Sequence, residues 1–313
     1  MRDSKLKRWL LCRYDRMVTA KVNLRRWIQL RTKYRLRIMS SRATLRYIRK
    51  SGCSVARYGD GELAFVMKEG YRIPFQANSQ GLAQRLEDTL GNKNPRLLLC
   101  MPRYLNSLRG CTKDCQRGWW YWGQQDSRQK KVVTKLRQKA GPDYLFGDAL
   151  ITRPYMDRKN KVAAKGIFKE LKRLWHDREI LIVEGEQTRL GVGNDLFAGA
   201  KKVRRILAPA VGAYECYDQI LSAVKEHVGN DTVLLALGPT ATVLAADLAN
   251  QGIRTLDVGH IDIEYEWFLQ KAKSKTAVQG KYTNEVEEGR NCTQCVDDVY
   301  LSQVLLRVEK HDS

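Results

Sequence analysis

The sequence predicts an α/β fold, a mostly parallel sheet with helices on both faces, preceded by a basic helical arm. After residue 50, short apolar runs alternate with longer stretches of helical periodicity, which is the pattern of strands joined by covering helices. Several of these runs are rich in Val, Ile and Leu, as strands buried on both faces tend to be. The 313 residues are 43% apolar and 29% charged, which suits a folded domain rather than a disordered chain.

Strands and helices are predicted in alternation. The strands lie at 54–58, 96–101, 144–150, 179–184, 203–208, 232–237 and 254–258. The helices lie near 79–91, 158–175, 213–227, 240–250 and 262–273. The stretch 106–129 is the least regular. Its aromatic cluster is more often a sign of packing than of function, so packing is favoured over a lid that faces a ligand: Trp119, Trp120, Tyr121 and Trp122.

The first 50 residues carry most of the positive charge. They contain 17 Lys or Arg against Asp3 and Asp15, so they supply +15 of the net charge of +22. Apolar residues, among them Trp9 and Trp27, recur between the basic ones at roughly helical spacing. This pattern favours an amphipathic helix that contacts an anionic membrane surface through residues 1–40. The alternatives are a basic helix packed on the protein and, less favoured, nucleic-acid binding.

Three segments are predicted, a basic amphipathic arm at 1–44, a domain at 45–290 and a C-terminal tail at 291–313. No apolar run reaches the roughly 18 residues that span a bilayer, and the N-terminus lacks the apolar stretch of a secretory signal. We therefore expect a cytoplasmic protein that could attach to the inner face of the cell membrane. The eight cysteines are expected to be reduced, and their spacing gives little support to a zinc site.

The loop after the first predicted strand carries two acidic residues. It reads Gly59-Asp60-Gly61-Glu62, and residues two apart in an extended chain point to the same side. Two carboxylates without His or Cys nearby are hard oxygen ligands that suit Mg²⁺ or Mn²⁺. Ligands of open α/β sheets collect at the carboxyl ends of strands, so Asp60 and Glu62 are the predicted metal ligands. An acidic turn that caps the next helix would give the same pattern.

A second loop resembles an anion-binding helix start. It consists of Gly238, Pro239, Thr240 and Ala241, which follow a strand and begin a helix. Free backbone amides and hydroxyls at such a position can hold a diphosphate. The alternative is an ordinary strand-to-helix connection.

A third loop mixes glycines with polar residues. Its Thr188, Arg189 and Asn194 can donate hydrogen bonds to phosphate or hydroxyl groups, and Glu184 adds a carboxylate at the strand end. A surface loop without function is the alternative. Near the end of an earlier strand, Arg153 could clamp a phosphate. Tyr155 could stack on a base.

A fourth loop gathers three carboxylates behind a histidine. Asp262, Glu264 and Glu266 follow His260 within seven residues, and one of the three is predicted to be a general base. In a helix Asp262 and Glu266 would share a face, whereas in an extended chain all three would. His260 is equally compatible with a structural hydrogen bond and with a role as ligand or base.

Five of these segments together resemble bacterial glycosyltransferases of the GT-D fold. They are RYGDGE at 57–62, TRPY at 152–155, VEGEQTRLGVGN at 183–194, ALGPTA at 236–241 and GHIDIEYEW at 259–267, and the resemblance runs from about residue 45 to 285. It adds Arg57 and Gly59 of the first segment, and Lys281 of GKYTNE at 280–285, to the residues expected near the donor. The resemblance implies a Rossmann-like domain with an Asp-x-Glu metal motif at Asp60 and Glu62.

The resemblance also implies a reaction. The expected activity is transfer of a hexose from a UDP-sugar, such as UDP-glucose or UDP-galactose, to a glycan or lipid-linked acceptor. The expected setting is the synthesis of bacterial surface polysaccharide or glycoprotein glycans, and the expected stereochemical outcome is inversion. As the base that activates the acceptor hydroxyl, Glu266 and Glu264 are ranked slightly ahead of Asp262. A metal-dependent phosphoryl or nucleotidyl transferase on a similar sheet is the alternative, since it would use similar carboxylates and loops.

Overall fold

The computed structural model describes residues 13–14, 17, 35–68, 73–124, 128–290, 292 and 297–310. Within these ranges one nine-stranded sheet has the order β1-β4-β3-β2-β8-β7-β5-β6-β9, and every pairing is parallel. The strands are β1 (Arg37–Ile38), β2 (Ser54–Arg57), β3 (Leu97–Met101), β4 (Leu145–Asp148), β5 (Glu179–Gly185), β6 (Lys202–Ala208), β7 (Thr232–Ala236), β8 (Thr255–Asp257) and β9 (Val304–Arg307).

Helices connect most of these strands. Those that the structure describes are α1 (Ser41–Ser51), α2 (Asp60–Val66), α3 (Gln80–Leu90), α4 (Lys113–Gln124), α5 (Arg128–Ala140), α6 (Val162–Lys172), α7 (Tyr217–His227), α8 (Pro239–Asn250), α9 (Ile261–Leu269) and α10 (Asp298–Gln303). In the same ranges, no helix is both long and apolar enough to cross a membrane.

The core has two apolar layers, one on each face of the sheet. Alternate residues of β3 belong to different layers, because successive side chains of a strand point to opposite faces. Leu97, Leu99 and Met101 lie in the layer with α3, α7 and α8, whereas Leu98 and Cys100 lie in the layer with α1, α6 and α9. The predicted α/β fold with helices on both faces is therefore confirmed.

The central strands β2 and β8 lie side by side where the strand order changes direction. From β2 the chain continues to β3 and β4 on one side, whereas β7, β5 and β6 lie on the other side of β8. Helices on opposite sides of such a point leave a crevice at the carboxyl ends of the strands, which is where ligands of open α/β sheets bind.

All seven predicted strands are present, as β2 to β8, and the five predicted helices correspond to α3, α6, α7, α8 and α9. The edge strands β1 and β9 are additions, and they come from the segments before residue 45 and after residue 290. The division of the chain at these two points stays a prediction. Most of the predicted basic arm falls outside the described residues.

Candidate active site

A cavity of about 920 Å³ opens at the carboxyl ends of the strands. Residues that follow each strand from β2 to β8 contribute to its wall. The parallel sheet thus brings together segments that are far apart in the sequence. Nine of the predicted site residues line the cavity: Arg57, Gly59, Asp60, Glu62, Arg153, Thr188, Gly238, His260 and Asp262.

The two predicted metal ligands lie at the start of α2, in the centre of this wall. Gly59 is the N-cap of α2, and its backbone N–H donates to Oε2 of Glu62 at 2.7 Å, which is one of the two hydrogen bonds of a capping box; glycine has no side chain to make the other. Asp60 is exposed, and its backbone oxygen accepts a hydrogen bond from Nε1 of Trp122 at 3.1 Å. Burial, with smaller contributions from the charges of Asp257 and Asp60, raises the pKa of Glu62 to about 7.

The extended geometry predicted for this pair is wrong, because Asp60 and Glu62 are the first and third residues of α2, and residues two apart on a helix do not share a face. Both nevertheless line the cavity, where two carboxylates suit a divalent cation that takes its other ligands from a substrate. Among the described residues, no group of three or more His, Cys, Asp or Glu side chains could enclose a metal ion. Mg²⁺ and similar ions are commonly held by one or two carboxylates together with substrate phosphates and water. Asp60 and Glu62 provide that donor set at the cavity wall.

Arg57 is fixed between the central strands. Its Nη2 lies 2.8 Å from Oδ1 of Asp257, and its Nε donates to the backbone oxygen of the same residue at 2.8 Å. Gly259 leaves room for the guanidinium, since a Cβ at this position would overlap it. The Arg57 side chain thus joins β2 to the end of β8, and contacts within the protein hold it in place.

His260, Glu285 and Arg153 form a charged network in the cavity wall. Nε2 of His260 lies 2.7 Å from Oε2 of Glu285, and Nη2 of Arg153 donates to the other carboxylate oxygen at 2.7 Å. Burial alone would raise the pKa of Glu285, but the charges of His260 and Arg153 hold it well below its usual range. Glu285 therefore stays ionised, with its charge beside one ring nitrogen of His260.

The three carboxylates of the fourth loop lie on the helix α9, so Asp262 and Glu266 share a face. Nζ of Lys281 lies 2.6 Å from Oδ2 of Asp262 and 2.9 Å from Oε1 of Glu266. Glu264 is fully buried and accepts hydrogen bonds from the backbone N–H groups of Tyr155 and Met156. Of the three carboxylates, Asp262 reaches the cavity, whereas Glu264 and Glu266 do not line it.

The third loop is tied to its surroundings by most of its predicted donors. Asn194 donates to Asp262 at 2.8 Å and to Glu266 at 2.6 Å. Arg189 donates to the backbone oxygen of Gly280 at 2.6 Å, while Glu184 is fully buried and pairs with Arg205 at 2.5 Å. These side chains hold the loop against α9 and the sheet. Thr188 is the predicted donor of this loop that lines the cavity.

The start of α8 is covered rather than open. Gly238 has φ 55° and ψ −140°, a conformation that favours glycine, and a Cβ there would overlap the ring of Phe75. Thr240 is fully buried and donates to Oε1 of Gln76 at 3.2 Å. Gly238 lines the cavity, whereas the rest of the predicted anion site does not: Pro239, Thr240 and Ala241.

Tyr155 lies in the core, outside the cavity. The residue is 5% exposed, its hydroxyl donates to the backbone oxygen of Ala272 at 3.1 Å, and Nζ of Lys161 lies 3.9 Å from the ring centre.

Other residues line the cavity without having been predicted. Glu285 had a sequence signal, since it ends the segment 280–285, whereas Phe75, Asp157 and Asp257 had none. One side of α4 also lines the cavity.

Comparisons with known proteins agree with this architecture. Residues 55–286 match the family described as glycosyltransferase GT-D fold. The probable glycosyl transferase Gly of Streptococcus gordonii is 38% identical over 269 residues, which cover 86% of this chain and 38% of the relative. Glycosyltransferase GlyD of Streptococcus pneumoniae serotype 4 is 34% identical over 269 residues, which cover 85% of this chain and 32% of the relative. The chain thus spans less than half the length of these two relatives.

Two solved structures have a similar fold over their whole length. One is a domain of unknown function 1792, described as having a distinct glycosyltransferase fold, with 32% identity and a TM-score of 0.82 over 91% of this chain and 100% of its own. The other is described as a new glycosyltransferase from Streptococcus sanguinis, with 36% identity and a TM-score of 0.79 over 88% of this chain and 100% of its own.

Proposed function

Because the chain belongs to the family of glycosyltransferases with the GT-D fold, we propose that it moves a hexose from a UDP-sugar to a glycan or lipid-linked acceptor. The donors that we favour are UDP-glucose and UDP-galactose, and the setting that we favour is the synthesis of bacterial surface polysaccharide or glycoprotein glycans. The observation that carries the proposal is the position of Asp60 and Glu62, at the end of the central strand β2 and in the wall of the cavity.

The proposal assigns Asp60 and Glu62 to a Mn²⁺ or Mg²⁺ ion. When bound there, such an ion would neutralise charge on the departing diphosphate. Arg57 and Arg153 add fixed positive charge in the same wall, and each is already held by a carboxylate. Charged groups that are fixed in advance stabilise a developing charge without having to reorganise during the reaction.

In the proposed reaction, the acceptor oxygen bonds to the anomeric carbon as the bond from that carbon to the diphosphate oxygen breaks. A single displacement of this kind inverts the anomeric centre. The acceptor proton must pass to a base, and we infer that His260 receives it, since His260 lines the cavity and the Glu285 carboxylate, 2.7 Å from one of its nitrogens, would stabilise the imidazolium that forms. Asp262 is the second candidate, but both of its oxygens already accept hydrogen bonds.

The test is release of UDP by the purified protein with Mn²⁺ and a panel of UDP-sugars. We expect release from one hexose donor, faster with a saccharide acceptor present. Asp60→Asn and Glu62→Gln should each lower the rate about a hundredfold or more. Gln can still accept the hydrogen bond from Gly59, so the second variant keeps this contact at the helix start. Asp218→Asn, which changes an exposed acid in the first turn of α7, is the matched control and should keep full activity.

Two outcomes would contradict the proposal. Full metal-dependent turnover by Asp60→Asn would remove the assignment of the metal site. Pyrophosphate or orthophosphate as the product, in place of UDP, would indicate nucleotidyl or phosphoryl transfer. The stereochemistry has its own measurement, because NMR of the product would exclude a single displacement if it found a retained anomeric configuration.

A further inference from the structure

One side of α4 (Lys113–Gln124) faces the cavity. The residues that line it recur every three to four positions, which is the spacing of one helical face. They combine aromatic rings with a carboxylate, a thiol and a glycine: Asp114, Cys115, Gly118, Trp119, Tyr121 and Trp122.

The aromatic rings of this face are not equally buried. Trp122 is 7% exposed, and Trp119 packs between it and Tyr104, with ring centres 5.0 and 5.2 Å away. Tyr121 is 60% exposed although it lies in the cavity wall. Trp119 and Trp122 therefore stabilise the helix. The Tyr121 ring meets Trp120 edge-on, with ring centres 4.8 Å apart, and its exposed part remains available to a ligand.

Gly118 leaves open space next to this ring. It lies in the middle of a helix, where glycine is less favourable than alanine, and its φ is not one that requires glycine. A Cβ at this position would meet no atom within 4 Å, so close packing does not require glycine either. Packing and backbone conformation therefore give no reason for a glycine here. The absent side chain enlarges the cavity beside Tyr121.

This face lies on one side of the proposed metal ligands. It follows β3 in the chain and stands next to Asp60, whose backbone oxygen accepts the hydrogen bond from Trp122. Gly238 and Thr188 line the cavity from β7 and β5, which lie beyond β8 in the sheet. The carboxylates thus lie between two parts of one cavity, as a reacting centre must lie between its two substrates.

We propose that the α4 face is the acceptor subsite and that it binds a sugar ring against Tyr121, in the space beside Gly118. This proposal rests on the proposed function and names the acceptor as a saccharide. The axial C–H groups of a sugar ring carry partial positive charge and match the negative face of an aromatic ring. Asp114, which is exposed in the same wall, can accept hydrogen bonds from sugar hydroxyls.

The test uses two variants of the full chain, Tyr121→Ala and Gly118→Leu. Tyr47→Ala is the matched control, since Tyr47 is a 44% exposed tyrosine on α1, outside the cavity wall. The probes are the UDP-sugar that wild type hydrolyses and a panel of octyl β-glycosides as acceptors. We expect Tyr121→Ala to raise the KM for the glycoside about tenfold, as is typical of a lost aromatic contact. Gly118→Leu should weaken the glycoside at least as much, and the KM for the UDP-sugar should stay unchanged in both variants.

The readouts separate this inference from the proposed function. A raised KM for the UDP-sugar, with the glycoside unaffected, would make the α4 face part of the nucleotide site and overturn the inference. Unchanged constants for both substrates would overturn it as well. Saturation-transfer NMR of the glycosides on the wild type and on Tyr121→Ala does not need turnover. Should no UDP-sugar react at all, a loss of saturation transfer confined to Tyr121→Ala would still support a saccharide subsite.

Discussion

A single carboxylate, Glu62, satisfies both interpretations of the segment Gly59-Asp60-Gly61-Glu62, the metal site and the acidic turn that caps a helix. It accepts the hydrogen bond that caps α2, and it lines the cavity with Asp60. The two roles make different demands, because a cap needs a hydrogen-bond acceptor whereas a cation needs negative charge. Glutamine meets the first demand and not the second. A loss of activity in Glu62→Gln without a loss of stability would therefore report the charge alone.

A prediction at the residue scale concerns His260 as the base that receives the acceptor proton. His260→Gln should lower kcat for transfer by about a hundredfold or more, because the imidazole is the proposed base. The KM for the UDP-sugar should change by less than about twofold, since no donor contact is assigned to the imidazole in the proposed reaction. Steady-state kinetics against His176→Gln, an exposed histidine outside the cavity wall, measures both constants. An unchanged kcat in His260→Gln would exclude His260 as the base and leave Asp262 as the candidate.

The sequence predicted the places of the site residues better than their orientations. Asp60, Arg153 and His260 reach the cavity because each follows a parallel strand, and strand ends can be read from local apolar runs. Thr240 and Glu264 also follow strands, yet both are buried by partners far away in the sequence, Gln76 in one case and the backbone at 155–156 in the other. No local pattern encodes such pairings.

At the scale of elements, the turn from β7 into α8 depends on glycine for two reasons. Gly238→Ala should destabilise the fold by about 1–3 kcal/mol, because the residue has φ 55° and ψ −140° and because a Cβ would overlap Phe75. Gly252→Ala is the matched control, since Gly252 has φ 81° but no atom within 4 Å of a Cβ. Urea unfolding of both variants separates overlap from backbone strain. Equal losses would show that Phe75 simply moves aside.

A second prediction at this scale concerns the contact between α3 and α5. The hydrogen bond from Lys139, followed by that from Lys135, lowers the pKa of Glu87, although burial opposes the shift. A carboxylate with a lowered folded-state pKa contributes stability above its unfolded pKa of about 4.3, and the contribution disappears as pH falls through the folded value. Glu87→Gln should therefore lose about 1 kcal/mol at pH 7 and less at pH 3.

Urea unfolding at both pH values measures this difference. The control is Glu226→Gln, which removes an exposed carboxylate of α7. It should change stability little at either pH. A loss in Glu87→Gln that is the same at both pH values would mean that packing, and not the charge of the carboxylate, joins the two helices.

Three of the elements that sequence analysis missed have weak or misleading local patterns. β1 is two residues long and lies in a basic stretch, so its identity as a strand depends on pairing with β4. β9 alternates between half-buried and exposed residues at the sheet edge. The helix α5 buries Val132, Val133 and Leu136 at helical spacing, but Lys and Arg fill most other positions. Their charge conceals the apolar side of the helix.

At the scale of the whole molecule, the segment after residue 290 is connected to the end of β5. β9 pairs with β6, and Gln303 accepts a hydrogen bond from Nε of Arg205 at 2.8 Å. The guanidinium of Arg205 also lies 4.7 Å from the ring centre of Tyr300 and pairs with Glu184 at the end of β5. One buried arginine thus joins the edge of the sheet to the loop that follows β5.

The opposite end of the chain carries the charge, and its predicted role can be tested separately. Residues 1–34 hold eleven Lys or Arg against two Asp, and only positions 13, 14 and 17 of this segment are among the described residues. We expect removal of 1–34 to abolish binding to vesicles rich in anionic lipid, because each basic residue near such a surface contributes about 1 kcal/mol. UDP release should persist, since the cavity lining begins at Arg57.

Co-sedimentation with anionic and with neutral vesicles, at low and high salt, measures the effect. Replacing Trp9 and Trp27 by alanine keeps the charge and removes the rings expected at the headgroup level. If the arm lies in the membrane interface, this double variant should bind more weakly than wild type at high salt, where screening has reduced the electrostatic part. Binding that depends on charge alone would indicate a basic segment that stays above the surface. Loss of UDP release on truncation would show that the arm belongs to the catalytic unit.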